Sequence, residues 1–375
     1  MNRVILSSFS NTILSQKIVL ISGPKDVGKS VFVEDCFLKS QIDFQKVALG
    51  DESVRKEFNK LTIKELCWFA KEKPTILICE CEHLLLLKEF LDEVLNAKVL
   101  VSVVLTAVHK PNIEEELLEA LSYQGANFYF PAPTFHEYAA YTSLPAEDRG
   151  IEHRLIYGNY FPLSTPINVK QERLSETLNK ILGQQFSVAH RVNKSEVLLR
   201  TLQVLGNHIG QPLSYNQIAN LIGVDNETIE RYIFLLCQAH ILYRLPCYCS
   251  DKKYELKKIN IFIFLDNGIR NAVINNYNSL LMRADIDNLW MNWVIAERIK
   301  WTKINNVPAQ FFFWRSHTRQ QIDFIESKAK IIEGYKFKYS KKKLLKSPPL
   351  FKKYYPNIPI HTVNIATYFS FLTKK

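Results

Sequence analysis

This 375-residue sequence predicts an α/β fold: a doubly wound parallel sheet with a phosphate-cradling loop at the tip of its first strand. Three observations carry that prediction. The apolar run Ile18-Val19-Leu20-Ile21 leads into Gly23-Pro24-Lys25-Asp26-Val27-Gly28-Lys29-Ser30, which fits G-x-x-x-x-G-K-[ST], and Val31-Phe32-Val33 supplies an apolar helix start behind it. Further strand-like runs follow at 46–49, 75–79, 99–105 and 128–130, with helical periodicity over 57–71 and 84–96 between them. Hydrophobic residues make up 47% and aromatics 12%, with no Gly/Ser-rich linker, which excludes extended disorder and indicates several packed domains. Alternating strands and helices imply a parallel sheet covered on both faces, with a ligand at the carboxyl ends of the strands.

The loop comes first, because its residue types dictate its chemistry. Its glycines let the backbone wrap closely round phosphates, so that N–H groups and the helix start point at them. Lys29 then reaches the outer phosphates and Ser30 offers its hydroxyl to Mg²⁺. Residues Gly23 to Val31 are therefore expected to bind nucleotide, with ATP and Mg as cofactors and ATP or ADP as the small-molecule partner.

The strand at 75–79 comes next. A hydrolysing site needs an acid after this strand to support Mg²⁺ and usually a second group to orient water. The sequence offers Cys79-Glu80-Cys81-Glu82. Reading Glu80 as the metal-supporting acid puts Cys81 in the water-orienting place, where a thiol cannot act as a carboxylate. Glu82 could substitute only if the strand end bends, since alternation keeps Glu80 and Glu82 on one face. Glu80 and Glu82 are the candidate catalytic residues, and slow hydrolysis is expected.

Charge and cysteines narrow the class. The net charge is +11, and from Asp251 onward 23 Lys/Arg stand against 9 Asp/Glu, so the last third holds all of the excess. Two readings stay open there, a solvated lysine face and a contact to a nucleic-acid backbone. Seven scattered cysteines without CxxC spacing read as reduced thiols, and no long apolar window reads as a signal or span. A cytoplasmic location without a membrane partner is expected.

Leu213 to Leu245 has helix-turn-helix spacing, with Ile218, Ala219 and Leu221, a turn at Gly223-Val224, then Ile229, Tyr232, Ile233 and Leu236. Its second helix opens with Asp225, Glu227 and Glu230 against Arg231 alone, a surface that phosphates repel. It reads as a structural lid rather than a sequence reader.

Taken together, the chain resembles the AAA+-type P-loop ATPases of bacteria and archaea that carry a winged helix and a C-terminal PD-(D/E)xK nuclease-like domain of unknown function. The resemblance runs from about Phe9 to Leu372 and rests on GPKDVGKS, PAPTFHEYAAY from Pro131, YGNYFPLS from Tyr157, IFLDNGIRNAVI from Ile263, LWMNWVIAERIK from Leu289, FWRSHTRQQIDFIE from Phe313 and EGYKFKYSKKK from Glu333. It implies an AAA+-like ATP-binding domain over 1–150, a helical lid and winged helix over 151–250, and a smaller α/β nuclease-like domain over 251–375. Members often show Gly-Arg where this chain has Gly125-Ala126, so an assembly in which one subunit completes the next is unsupported.

Within the last domain the resemblance assigns Glu297, Asp323, Lys336 and Lys338 as the nuclease remnant. Lys336 takes the place of the family's metal-binding Glu, and Met291 that of another acid. Cleavage is expected to be lost, with the lysines free to hold phosphate backbone. Four functions stay open at this stage: a slow ATPase or nucleotide switch near nucleic acid, an active nuclease using Glu297, Asp323 and Glu333, a non-enzymatic ATP-binding module, and a winged-helix regulator.

Overall fold

The computed structural model describes residues 9, 12, 16–96, 101–108, 125–185, 195–248, 259–329, 331–341 and 346–374. The chain divides into two compact units, one reaching Ala132 and including Gln238–His240, the other formed by Pro133–Cys237 and Ile241–Lys375.

The first unit is built on five parallel strands, β1 (Ile18–Ser22), β2 (Phe44–Ala48), β3 (Thr75–Cys79), β4 (Ser102–Ala107) and β5 (Gly125–Tyr129), in the order β2-β3-β4-β1-β5. Strands β1 and β3 are buried at all five positions, as expected of strands covered on both faces. The register sets Thr106 between Ile21 and Cys79, so the tips of β1, β4 and β3 stand abreast. Leu20, Ile76, Ile78, Val103 and Leu105 form the core beneath them. Of the strand expected at 99–105, residues 99 and 100 lie outside the described residues, and the described strand runs on to Ala107.

Helix α1 (Lys29–Lys39) follows the loop directly. The single helix expected over 57–71 is two, α2 (Glu52–Phe58) and α3 (Ile63–Ala70). The break is local chemistry: Thr62 accepts from the Glu65 N–H while Glu65 reaches back to the Thr62 N–H, a capping box that starts a new helix. Likewise α4 begins only at Leu87, because a 3₁₀ turn at Cys81–His83 intervenes.

The second unit contains a run of helices from α5 (Phe135–Tyr141), α6 (Leu144–Arg149) and α7 (Ile151–Tyr157) to α8 (Ile167–Lys180) and α9 (Ser195–Asn207). Helices α10 (Tyr215–Ile222) and α11 (Asn226–Gln238) are joined through Gly223, whose φ of 83° is the left-handed stop that the sequence places there. They lie between the first and second strands of a small antiparallel sheet of β6 (Leu213–Ser214), β7 (Leu242–Pro246) and β8 (Ile259–Phe264), ordered β6-β8-β7. After α12 (Asn267–Val273) and α13 (Ile286–Ile304) comes a four-stranded sheet ordered β12-β11-β10-β9. Its β9 (Gln310–Arg315), β10 (Gln321–Lys328) and β11 (Ile331–Phe337) are antiparallel, and β12 (Ile360–Val363) runs parallel to β11.

One apolar cluster joins Phe135, Leu155, Ile263, Trp290, Trp293, Phe324 and Phe337, so residues that the sequence reading distributes over three domains share one core in this unit. Helix α13 is buried at every position from Leu289 to Thr302, its polar residues included. Its polar residues are satisfied there. Glu297 accepts from the Phe135 N–H (2.6 Å) and from Asn159 Nδ2 (3.0 Å) and pairs with Lys300. Asp266 accepts from the N–H groups of Asn159 (2.7 Å) and Gly268 (2.7 Å), while Asn292 bonds the Phe264 backbone through both ends of its amide. The PAPTF, YGNYF, DNGIR and MNWVIAER segments are thus tied together by buried hydrogen bonds.

Candidate nucleotide-binding site

The loop between β1 and α1 is shaped by two positions that admit only glycine. Gly28 has φ 86°, a conformation that costs an L side chain about 1–2 kcal/mol. A Cβ on Gly23 would stand 1.9 Å from the Phe130 carbonyl oxygen. The chain therefore closes tightly over the strand tips. Pro24 and Lys29 are buried, Lys25, Val27 and Ser30 half-buried, and Asp26, Gly28 and Val31 exposed.

Lys29 leaves 7% of its surface exposed and donates to the carbonyls of Gly23 (2.8 Å) and Pro24 (2.7 Å). Burial pulls its ammonium down to about 8, against the opposing pull of the Glu82 and Glu80 carboxylates. A buried ammonium resting on loop carbonyls is poised to take an anion, because an incoming phosphate would supply the charge that burial withholds. The residues fit a nucleoside polyphosphate.

They fit Mg²⁺ less well. Ser30 Oγ lies 3.4 Å from Thr106 Oγ1, and Thr106 pairs across the sheet with Cys79, the last residue of β3. The sequence reading puts Glu80 in the metal-supporting place and Cys81 beside it; in the structure the last position of β3 is Cys79, and Glu80 lies in the turn beyond it. The reason is the turn at Glu80, which takes φ 56° and ψ 50° and ends the alternation at Cys79. Cys81 is fully buried in the apolar core.

The same turn separates the two candidate acids. Glu80 Oε2 pairs with Lys25 Nζ at 2.6 Å, with His83 Nε2 at 3.8 Å, and its carboxylate packs against Gly50, where a Cβ would stand 2.7 Å from Oε1. Glu82 instead accepts from the Val108 N–H at 3.0 Å through Oε1, while its buried Oε2 has no hydrogen-bond partner among the described residues. Burial pushes this carboxyl up to about 7. The site thus holds one carboxylate committed to a loop lysine and one poised between charge states. Thr106, which the sequence marks only as following a core strand, links Ser30 and the Glu80 N–H (3.3 Å).

Of the C-terminal candidates, Asp323 and Lys336 come together, while Lys338 and Glu297 take other partners. The Phe324–Tyr335 pairing places Asp323 and Lys336 next along neighbouring strands, and the Lys336 charge opposes the upward push that burial gives the Asp323 carboxyl. Asp323 also accepts from the Phe337 N–H at 3.0 Å and from Gln321 Nε2 at 3.1 Å. Lys338 pairs with Asp287, a partner the sequence reading did not single out. Glu297 is tied to Phe135, Asn159 and Lys300 as above, and Glu333 bonds Tyr335 and Lys374. Lys342 and Lys343 of the basic run lie outside the described residues. Among the described residues no group of three or more His, Cys, Asp or Glu could hold a metal, and no helix is long and apolar enough to cross a membrane.

A family model described as a domain of unknown function (DUF8612) matches residues 149–280. The chain is 23% identical over 286 residues to an uncharacterized protein of Haemophilus influenzae, spanning 68% of this chain and 69% of that one. Among solved structures it is similar to a Walker-type ATPase of Pyrococcus abyssi (10% identity, TM-score 0.46, 72% of this chain and 95% of that one). It is also similar to the replication initiator DnaA bound to AMPPCP and single-stranded DNA (14% identity, TM-score 0.31, 62% and 85%). The chemistry of the site rests on its own residues.

Proposed function

We propose that this chain is an AAA+-like ATP-binding protein in which the nucleotide acts as a switch, with slow hydrolysis at most. The observation that carries the reading is Lys29: a buried ammonium held by loop carbonyls at the helix start, beside strand tips whose acids are displaced from the metal-supporting place. Turnover would fall below the range of about 1–100 per second usual for kinases. Glu82, with one oxygen fixed by Val108 and the other unpartnered, is the better candidate to accept a proton from water, and Glu80 is withheld by Lys25.

In this reading the α10–α11 pair with the β7–β8 strands is a winged helix serving as lid and linker. The sheet at residues 310–363 is a nuclease-like shell without cleavage activity, because Lys336 takes the position beside Asp323 that a metal would require to be acidic. The basic C-terminal third supports contact with a nucleic-acid backbone and a role near nucleic acid. Steady-state ATP hydrolysis and ATP binding by the wild type and Lys29→Ala, with and without DNA, test the whole. Wild-type binding lost in the variant, with slow or no turnover, is the expected result; equal binding by both proteins would overturn the reading.

A further inference from the structure

Beside Ser30, where P-loop sites keep a carboxylate, this chain keeps a thiol. Magnesium in such sites is held by the loop Ser/Thr and by an aspartate at the end of a neighbouring strand. It is a hard cation that takes oxygen ligands, with one or two carboxylates besides the phosphates. Here the last position of β3, paired with Thr106 whose Oγ1 lies 3.4 Å from Ser30 Oγ, is Cys79, 5% exposed.

Neither neighbouring acid replaces it. Glu80 is itself the left-handed turn residue, and its Oε2 accepts from Lys25 at 2.6 Å. Glu82 is fixed through Oε1 to the backbone after β4, and its Oε2 has no hydrogen-bond partner among the described residues. Positive charge, in contrast, is already built into the loop at Lys29, while Lys25 is paired with Glu80.

We propose that this site takes a nucleoside triphosphate without depending on a divalent cation, Lys29 supplying the positive charge and Cys79 removing the group that would anchor a metal. The inference rests on the nucleotide reading above and adds to it the form in which the ligand is bound. Ser30 then serves the loop through Thr106 instead of serving a metal. Burial holds the Cys79 thiol neutral at physiological pH, which agrees with this role.

The test is calorimetric titration of the full chain with ATP, once in excess Mg²⁺ and once in EDTA. Wild-type affinity should agree between the two within about threefold. Cys79→Asp, which restores an acid beside Ser30, should bind about tenfold or more tightly with Mg²⁺ than without it. A wild type that loses tenfold or more in EDTA overturns the inference and leaves the nucleotide reading standing. A wild type that binds ATP under neither condition overturns both. If Cys79→Asp fails to fold, the two wild-type titrations decide alone, and Cys79→Ser should repeat the wild-type result.

Discussion

Replacing Lys29 by Met separates what the loop does for the fold from what it does for a ligand. The side chain is 7% exposed, and burial lowers its ammonium from 10.5 to about 8. At about 1.4 kcal/mol per pH unit, holding that charge in place costs the fold about 3 kcal/mol at neutral pH. Against this stand two hydrogen bonds to the carbonyls of Gly23 and Pro24, each worth about 1.5–3 kcal/mol for a charged donor. At the lower end of that range the two contributions cancel. Methionine fills a similar volume without charge, so Lys29→Met should fold within about 1 kcal/mol of wild type by urea denaturation while ATP binding is lost. The pH dependence follows the same balance. Because the folded state holds the Lys29 proton less tightly than the unfolded chain, the unfolded state binds more protons between about 8 and 10.5, and wild-type stability rises with pH across that window. The variant should lack that rise. A loss of stability well beyond 2 kcal/mol in Lys29→Met, with the alkaline rise intact, would refute the reasoning and make Lys29 a structural residue.

Three further outcomes are expected. ATP binding near pH 8 should take up protons, since the phosphates restore the charge on Lys29; titrations in buffers of different ionisation enthalpy read this directly, and zero net uptake counts against it. Gly23→Ala should lose about 1–3 kcal/mol and weaken nucleotide binding together, because its Cβ meets the Phe130 carbonyl at 1.9 Å. In the other unit, Arg298→Met leaves Glu326, 3% exposed, without its guanidinium partner and should cost about 3–5 kcal/mol, with the Arg298→Met/Glu326→Leu double variant recovering most of it. Equal stability of the single and double variants would show that the pair is not coupled.

The sequence by itself determined the first unit almost completely. Apolar runs such as Thr75–Cys79 and the GPKDVGKS loop are local signals, because a strand covered on both faces must be apolar throughout and a phosphate cradle needs its glycines at fixed spacing. The sequence also determined the Gly223 turn and the capping boxes, which are satisfied within three or four residues. It did not determine which residue faces Ser30. That choice depends on a one-residue left-handed turn at Glu80, and residues at a strand end can be counted one place too far when alternation alone is followed. Nor could it show that Glu297 lies with Phe135 and Asn159, 162 and 138 positions away, instead of with Asp323. A carboxylate's partner depends on distant segments meeting in the interior, where burial makes every charge seek a donor. Only the tertiary structure decided that α13 lies buried against both the helical segment and the C-terminal sheet, and that its acid serves the core of that unit.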